Sequence, residues 1–285
     1  MKVKFTKMHG CGNDYVYING ISEKVPQDIK PDFVRALSDR HFGIGGDGVI
    51  FINDSDIADF EMEMWNADGT RSEMCGNGIR CVAKYVFDYG LTDKTEVDIC
   101  SFGKVKHILL TVEDGKVVTA RVDMGEPILM PSEIPTTASD DIGTVKMYPI
   151  DVNGTTYEVT CVSMGNPHAI IYVDSVDDLE IEKIGPHIEN HPFFPRRTNV
   201  EFVQNVDKSH IKMRVWERGT GETLACGTGC SALTVAGVLN GLTDRDVEIQ
   251  VLGGIINVKW DEADGHVYMT GPATTVFDGV IDYID

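Results

Sequence analysis

Two stretches decide how this chain is read: Glu73-Met74-Cys75-Gly76-Asn77-Gly78 and Leu224-Ala225-Cys226-Gly227-Thr228-Gly229. Each sets one cysteine after a strand-like run and a polar turn, then steps through glycines into a helical pattern. Their separation is 226 − 75 = 151 residues. The same shift carries Trp65 onto Trp216 and Gly90-Leu91-Thr92-Asp93 onto Gly241-Leu242-Thr243-Asp244, and a nearby shift of 153 carries Gly12-Asn13 onto Gly165-Asn166. Ungapped agreement over such a length points to one supersecondary unit used twice.

Working outward, short β-branched runs alternate with a few helical ones. In the first half strands are expected at 2–6, 15–19, 48–53, 60–66, 97–101, 106–112 and 116–124, with helices at 30–38 and 78–89. The second half repeats this with strands at 157–163, 168–173, 198–206, 210–217, 247–251 and 255–261 and helices at 179–190 and 228–240. The stretch 125–141, with Pro127, Pro131 and Pro135, is the best linker candidate. The expectation is an α+β fold in two similar halves.

A cysteine at a helix N-terminus sits in the positive end of the macrodipole, which lowers its pKa. The N–H groups there can hold a carboxylate, and the glycines let a substrate approach the backbone. Two such thiols facing one carboxylate site suit racemisation, in which one removes a proton from a carbon while the other returns one to the opposite face. No nucleotide-loop spacing is present. The Cys75/Cys81 and Cys226/Cys230 spacings do not match the CxxC pairs of structural zinc sites. Neither cofactor nor metal is therefore expected. Cys11, Cys81, Cys100, Cys161 and Cys230 read as ordinary small buried hydrophobes.

Composition narrows the function class. Lys plus Arg total 25 and Asp plus Glu 45, a net charge of 25 − 45 = −20, which disfavours nucleic acid and anionic membranes as partners. Seven cysteines, an odd number in a long chain, point to reduced thiols and a cytoplasmic location. No secretory signal or run of about 20 apolar residues is evident.

The motifs together resemble the diaminopimelate epimerase family along essentially the whole chain. The carriers are Met8-His9-Gly10-Cys11-Gly12-Asn13-Asp14, Phe42-Gly43-Ile44-Gly45-Gly46-Asp47, Trp65-Asn66-Ala67-Asp68-Gly69 and Met74-Cys75-Gly76-Asn77-Gly78-Ile79-Arg80. Gly165-Asn166-Pro167-His168, Thr198-Asn199-Val200-Glu201-Phe202 and Glu217-Arg218-Gly219, leading to Ala225-Cys226-Gly227-Thr228-Gly229, complete the set. The resemblance implies two pseudo-symmetric domains, 1–122 plus 268–285 and 123–267. Each would be a curved sheet or barrel around a central helix, with the active site in the cleft between them. It implies cofactor-independent conversion of LL- to meso-diaminopimelate, a step towards lysine and peptidoglycan precursors, by a homodimer. Cys75 and Cys226 would be the acid/base pair. The backbone at Gly76-Asn77 and Gly227-Thr228 would hold the α-carboxylate, with Glu217 for the ammonium and Arg218 for the distant carboxylate. Asn13, Asn66, Asn166 and Asn199 would line the pocket, and His168 with Glu217 would tune the thiols.

This chain departs from the family at two points. Gly48 follows Asp47 where many members carry Gln, and Phe277 stands where a dimer-contact Tyr is frequent. Proline and hydroxyproline racemases share the two-cysteine plan, but Asn77 replaces their His and Arg218 suits a carboxylate that proline lacks. A thiol redox switch at Cys75 and Cys226, or an inactive amino-acid-binding protein, are the readings from other classes.

Overall fold

The structure, a computed structural model, describes residues 1–72 and 75–283. Glu73 and Met74 of the first cysteine motif lie outside the described residues, as do residues 284 and 285 at the end of the 268–285 segment. The chain divides into two compact units, Met1–Val122 with Gly271–Asp285, and Asp123–Thr270.

The first unit opens with β1 Lys2–Gly10 and β2 Asn13–Asn19, an antiparallel pair turned at Cys11 and Gly12. Both turn residues have positive φ, 50° and 82°. Helix α1, Lys30–Ser38, crosses to β3 Gly48–Asn53, which lies parallel to β2; β4 Phe60–Asn66 returns antiparallel and carries the short β5 Arg71–Ser72. Helix α2, Gly76–Asp88, then crosses to β6 Glu96–Ser101, parallel to β4, and β7 Lys104–Glu113 and β8 Lys116–Gly125 extend the sheet antiparallel. Both parallel steps occur where a helix crosses over, as parallel pairing requires.

The second unit repeats the plan. After β9 Tyr148–Val152 and β10 Thr155–Ser163 comes β11 Pro167–Tyr172, and α3 Ile181–Glu189 crosses to the parallel β12 Asn199–Asn205. β13 His210–Glu217 and β14 Gly221–Thr223 follow, and α4 Gly227–Leu239 crosses to β15 Asp246–Val251, parallel to β13. β16 Gly254–Trp260 and β17 Val267–Pro272 continue antiparallel. The last strand, β18 Thr274–Asp282, pairs with β1.

The repeat holds at element resolution. Shifting α1 by 151 gives 181–189, the bounds of α3, and shifting α2 gives 227–239, those of α4. Shifting β1 by 153 gives 155–163, the bounds of β10.

In each unit one helix covers one face of the strands and a second covers the other. Val49 and Phe51 pack with Phe33, Val34 and Leu37 of α1, whereas Ile50 meets Gly78 of α2. In the second unit Val200 and Phe202 pack with Ile181 and Ile188 of α3, and Glu201 meets Gly229 of α4. Each large apolar side chain so buried contributes about 1.5 to 3 kcal/mol. The two crossing helices differ in kind. α1 is buried along one stripe, but α2 is buried at every residue from Gly76 to Val86 and α4 from Gly229 to Gly237, as befits helices enclosed on all sides.

Some local expectations need correction. α2 begins at Gly76 rather than 78, because Cys75 itself is the N-cap. The strands at 148–152 and 267–272 were not expected, and in β9 Pro149 disguises a short edge strand. The C-terminal segment does return to the first unit, as β18 on β1. The stretch 125–141 is not a loose tether. Ile128 pairs with Ser163 and Ile134 is buried in the second unit's core.

Candidate active site

A helix leaves its first N–H groups without intrahelical acceptors, and the cap residue decides what meets them. Cys75 takes the extended conformation of an N-cap (φ −137°, ψ 114°), and its Sγ accepts from the Gly78 N–H at 3.3 Å. Opposite, the thiol donates to Asn13 Oδ1 at 3.0 Å. Asn13 is fixed in turn, since its Nδ2 donates to Asp47 Oδ2 at 2.6 Å and Arg40 holds Asp47 Oδ1 at 2.9 Å. The β1–β2 turn and the glycine-rich 43–48 loop thus aim one amide oxygen at one sulfur. The Asn77 side chain points inward, accepting from Arg80 Nη2 at 3.0 Å, so what Gly76-Asn77 offers outward is backbone. Arg80 is fully buried and also donates to the Gly76 and Pro272 carbonyls.

Cys226 is likewise the extended N-cap residue of α4 (φ −120°, ψ 109°), but its side chain makes no cap hydrogen bond of the Cys75 kind and its setting is more charged. Its Sγ lies 3.4 Å from the Thr228 hydroxyl, and Asn166 Nδ2 donates to that hydroxyl at 3.2 Å. Asn166 Oδ1 faces His168 Nε2 at 3.2 Å, and His168 Nδ1 meets Glu201 Oε1 at 2.7 Å. Burial pushes the Cys226 thiol well above its usual range, with Glu217 and Glu201 adding to the rise against the Thr228 hydroxyl. Glu217 is also pushed up, first by burial and then by Glu201, although the Thr223 hydroxyl and the Cys226 thiol bond to it.

Asn13 and Cys75 therefore meet in the first unit, while Asn166, His168, Glu217, Cys226 and Thr228 form one network in the second. Asn199 serves the backbone, accepting from the Arg218 N–H at 2.8 Å and donating to the Pro167 carbonyl at 3.1 Å. The exposed Arg218 guanidinium donates to the Arg196 carbonyl at 3.1 Å. Asn66 stands apart, its amide turned to Thr70 at 3.0 Å. At Gly48 a Cβ would lie 2.0 Å from the Trp65 carbonyl oxygen, so no side chain fits at that position.

Asp47 and Arg40, which hold Asn13, and Glu201 and Thr223 were not singled out from sequence. Glu201 carried a signal: an acid between Val200 and Phe202, in a strand flanked by crossover helices, cannot reach water. All seven cysteines are free thiols. Burial raises Cys11, more than Arg80 lowers it, and drives Cys81 up to about 11, in keeping with inert packing roles.

The donor atoms of His168, Glu201 and Cys226 lie within 4.8 Å of one another. His168 Nδ1 is engaged with Glu201 Oε1 and Cys226 Sγ with the Thr228 hydroxyl, while Glu201 Oε2 has no hydrogen-bond partner.

The diaminopimelate epimerase family model matches residues 5–130 and 160–276. This chain belongs to the diaminopimelate epimerase family. It is 52% identical over 280 residues to the diaminopimelate epimerase of Acetivibrio thermocellus, covering 98% of this chain and 99% of that one. Among solved structures, a phenazine biosynthesis protein of the PhzF family from Bacillus anthracis matches with a TM-score of 0.70 at 14% identity, covering 99% of this chain and all of that one. A hydroxyproline epimerase from Agrobacterium vitis matches with a TM-score of 0.66 at 13% identity, covering 98% of this chain and 91% of that one. At such identities these two structures share the fold. The epimerase family's two-half α+β architecture is the one seen here. Among the described residues no helix is long and apolar enough to cross a membrane.

Proposed function

We propose that this chain interconverts LL- and meso-diaminopimelate without a cofactor, with Cys75 and Cys226 as the acid/base pair. The observation that carries the reading is the duplicated cysteine cap on a glycine-led helix, in a chain of this family. In one direction a thiolate takes the α-hydrogen and the opposite thiol donates a proton to the other face; the reverse reaction exchanges the roles. The carbanion is tolerable only if donors already surround the α-carboxylate. The first N–H groups of α2 and α4, at Gly76-Asn77 and Gly227-Thr228, are such donors. Glu217, destabilised as an anion by burial beside Glu201, is relieved by a substrate ammonium. Arg218 then takes the distal carboxylate bidentately. Asn13 and Asn166 orient the two sulfurs, and Asn66 and Asn199 complete the pocket. His168 and Glu217 adjust the thiols.

We further propose a cytoplasmic homodimer. The free thiols suit a reducing compartment. β18, paired with β1, exposes Val276, Phe277 and Val280 at 54%, 46% and 61%, an apolar strip suited to a second copy.

The deciding assay follows α-hydrogen exchange from deuterated water. Reduced protein should exchange and epimerise LL-diaminopimelate, and Cys75→Ala and Cys226→Ala should each lose epimerisation. Absence of exchange by the parent protein would end the reading. Exchange with proline would select the racemase alternative, and full turnover by both alanine variants would remove the two-thiol mechanism.

A further inference from the structure

The two cysteine caps share a backbone conformation but are lined differently. Glu201 is fully buried on β12, with Oε1 held by His168 Nδ1 at 2.7 Å and Oε2 without a hydrogen-bond partner. Its carboxylate lies over the first turn of α4: a Cβ at Gly229 would come within 2.6 Å of Oε1 and 3.3 Å of the Cys226 Cβ. At the equivalent place in the first unit, 201 − 151 = 50, stands Ile50, whose Cδ1 makes the matching approach to Gly78 at 2.9 Å. His168 corresponds to Tyr15, since 168 − 153 = 15. One thiol thus faces an alkyl lining and the other a buried acid with an orphaned oxygen.

We propose that Glu201 is a positioning residue that keeps Cys226 in its protonated form in the resting enzyme, so that Cys226 enters catalysis as the acid. The inference rests on Cys226 being one of the acid/base pair. A carboxylate beside a sulfur disfavours a second negative charge there. It also occupies the N-terminal field of α4, which would otherwise stabilise a thiolate. The remaining titratable groups around this cap do not cancel it. Glu217 on β13 has the same sign, and His168 on β11 engages Oε1. Cys161 on β10 is itself raised by burial and by Glu201. Cys230 lies within α4, and Asp246 and Glu248 of β15 and Lys259 of β16 are exposed to solvent.

The test titrates thiolate absorbance in the full-length reduced protein. The difference between Cys75→Ala and Cys75→Ala/Cys226→Ala isolates Cys226. Adding Glu201→Gln should lower its midpoint by about 1 to 2 pH units, whereas Glu201→Asp, which keeps the charge, should leave it near the parent value. In a background with both thiols, Glu201→Gln should draw the alkaline limb of the pH–rate profile downward; a purely structural role would scale the profile without moving that limb. Glu201→Ile/His168→Tyr, which copies the first unit's lining, provides a second variant with the charge removed and should show the same fall. An unchanged midpoint in the folded variants that lack the charge, or an equal fall in Glu201→Asp, would overturn the proposal. Failure of the two-thiol reading would appear separately, as turnover that survives Cys226→Ala.

Discussion

Placing alanine at the two equivalent helix glycines should produce unequal damage. At Gly78 the new methyl would meet Ile50 Cδ1 at 2.9 Å, the tip of a flexible side chain, and the Cys75 Cβ at 3.4 Å. A small rotation of Ile50 relieves most of this. At Gly229 the methyl would meet Glu201 Oε1 at 2.6 Å, and that oxygen is pinned by His168 in a fully buried pair. Overpacking of a core costs about 1 to 3 kcal/mol, and displacing the carboxylate from His168 adds about 1.5 to 3 for a hydrogen bond to a charged group. Helix propensity returns up to about 1 kcal/mol in both variants. Gly229→Ala should therefore lose about 2 to 5 kcal/mol, and Gly78→Ala between about zero and 2. Urea unfolding of the reduced proteins, extrapolated linearly to water, measures both. If Gly229→Ala proves as stable as Gly78→Ala, Glu201 is not held as described and the contrast between the caps fails with it.

Other expectations follow from individual contacts. Glu217→Gln should abolish turnover yet raise stability at neutral pH: the folded pKa lies above the ordinary 4.5, so the ionised form strains the fold once pH rises through that value. The gain should vanish in unfolding curves taken below about pH 4. Lys30→Met should cost about 3 kcal/mol, because Lys30 Nζ lies 2.6 Å from buried Glu63. Burial pushes Glu63 up, but Lys30, Asn53 and Trp65 outweigh it and hold it below 4.5. The deficit should therefore be full at neutral pH and shrink as acid protonates the partner, which chemical denaturation across that range will show. Asp47→Ala frees the Asn13 amide and should lower kcat more than it raises KM, since Asn13 orients the Cys75 sulfur; steady-state kinetics separate the two. Phe277→Asp should shift sedimentation towards monomer, and an unchanged sedimentation coefficient would remove β18 as the dimer surface.

The repeat was legible because a duplicated helix keeps its glycines and cap. Gly76-Asn77-Gly78 and Gly227-Thr228-Gly229 mark equivalent helix starts to the residue, and 30–38 was readable as α1 from Phe33, Val34 and Leu37 at helical spacing. What escaped was of two kinds. β9 escaped although its partner β10 is adjacent across the Asn153-Gly154 turn, because Pro149 interrupts the apolar alternation by which a strand is read. The supporting shell escaped because its members look ordinary until placed. Arg40 draws no notice and Asp47 only as the end of a glycine-rich motif, yet they hold the amide that meets Cys75.

Comparing equivalent positions shows which features were kept in both halves and which were not. Asn13 and Asn166, Cys75 and Cys226, and the glycines beside them occur twice, and these are the groups a planar carbanion and its carboxylate need on either side. The charges around the cysteine caps do not repeat. Under the 151 shift Glu217 falls on Asn66, Arg218 on Ala67, Glu201 on Ile50 and Ser231 on Arg80. An α-carbon epimerisation is symmetric at the reacting centre but not in its substrate, whose ammonium and distal chain project to one side. On the proposed reading the duplicated groups answer the symmetric demand and the singular charges the asymmetric one. Selection for a two-headed substrate should therefore be sought in the second unit. The tryptophans show that divergence need not be functional. Trp65 Nε1 donates to Glu63 of its own strand at 3.0 Å and Trp216 Nε1 to Glu189 of α3 at 2.7 Å. The same indole requirement is met by carboxylates from different elements, as expected where only hydrogen-bond satisfaction is demanded and the partner is free to vary.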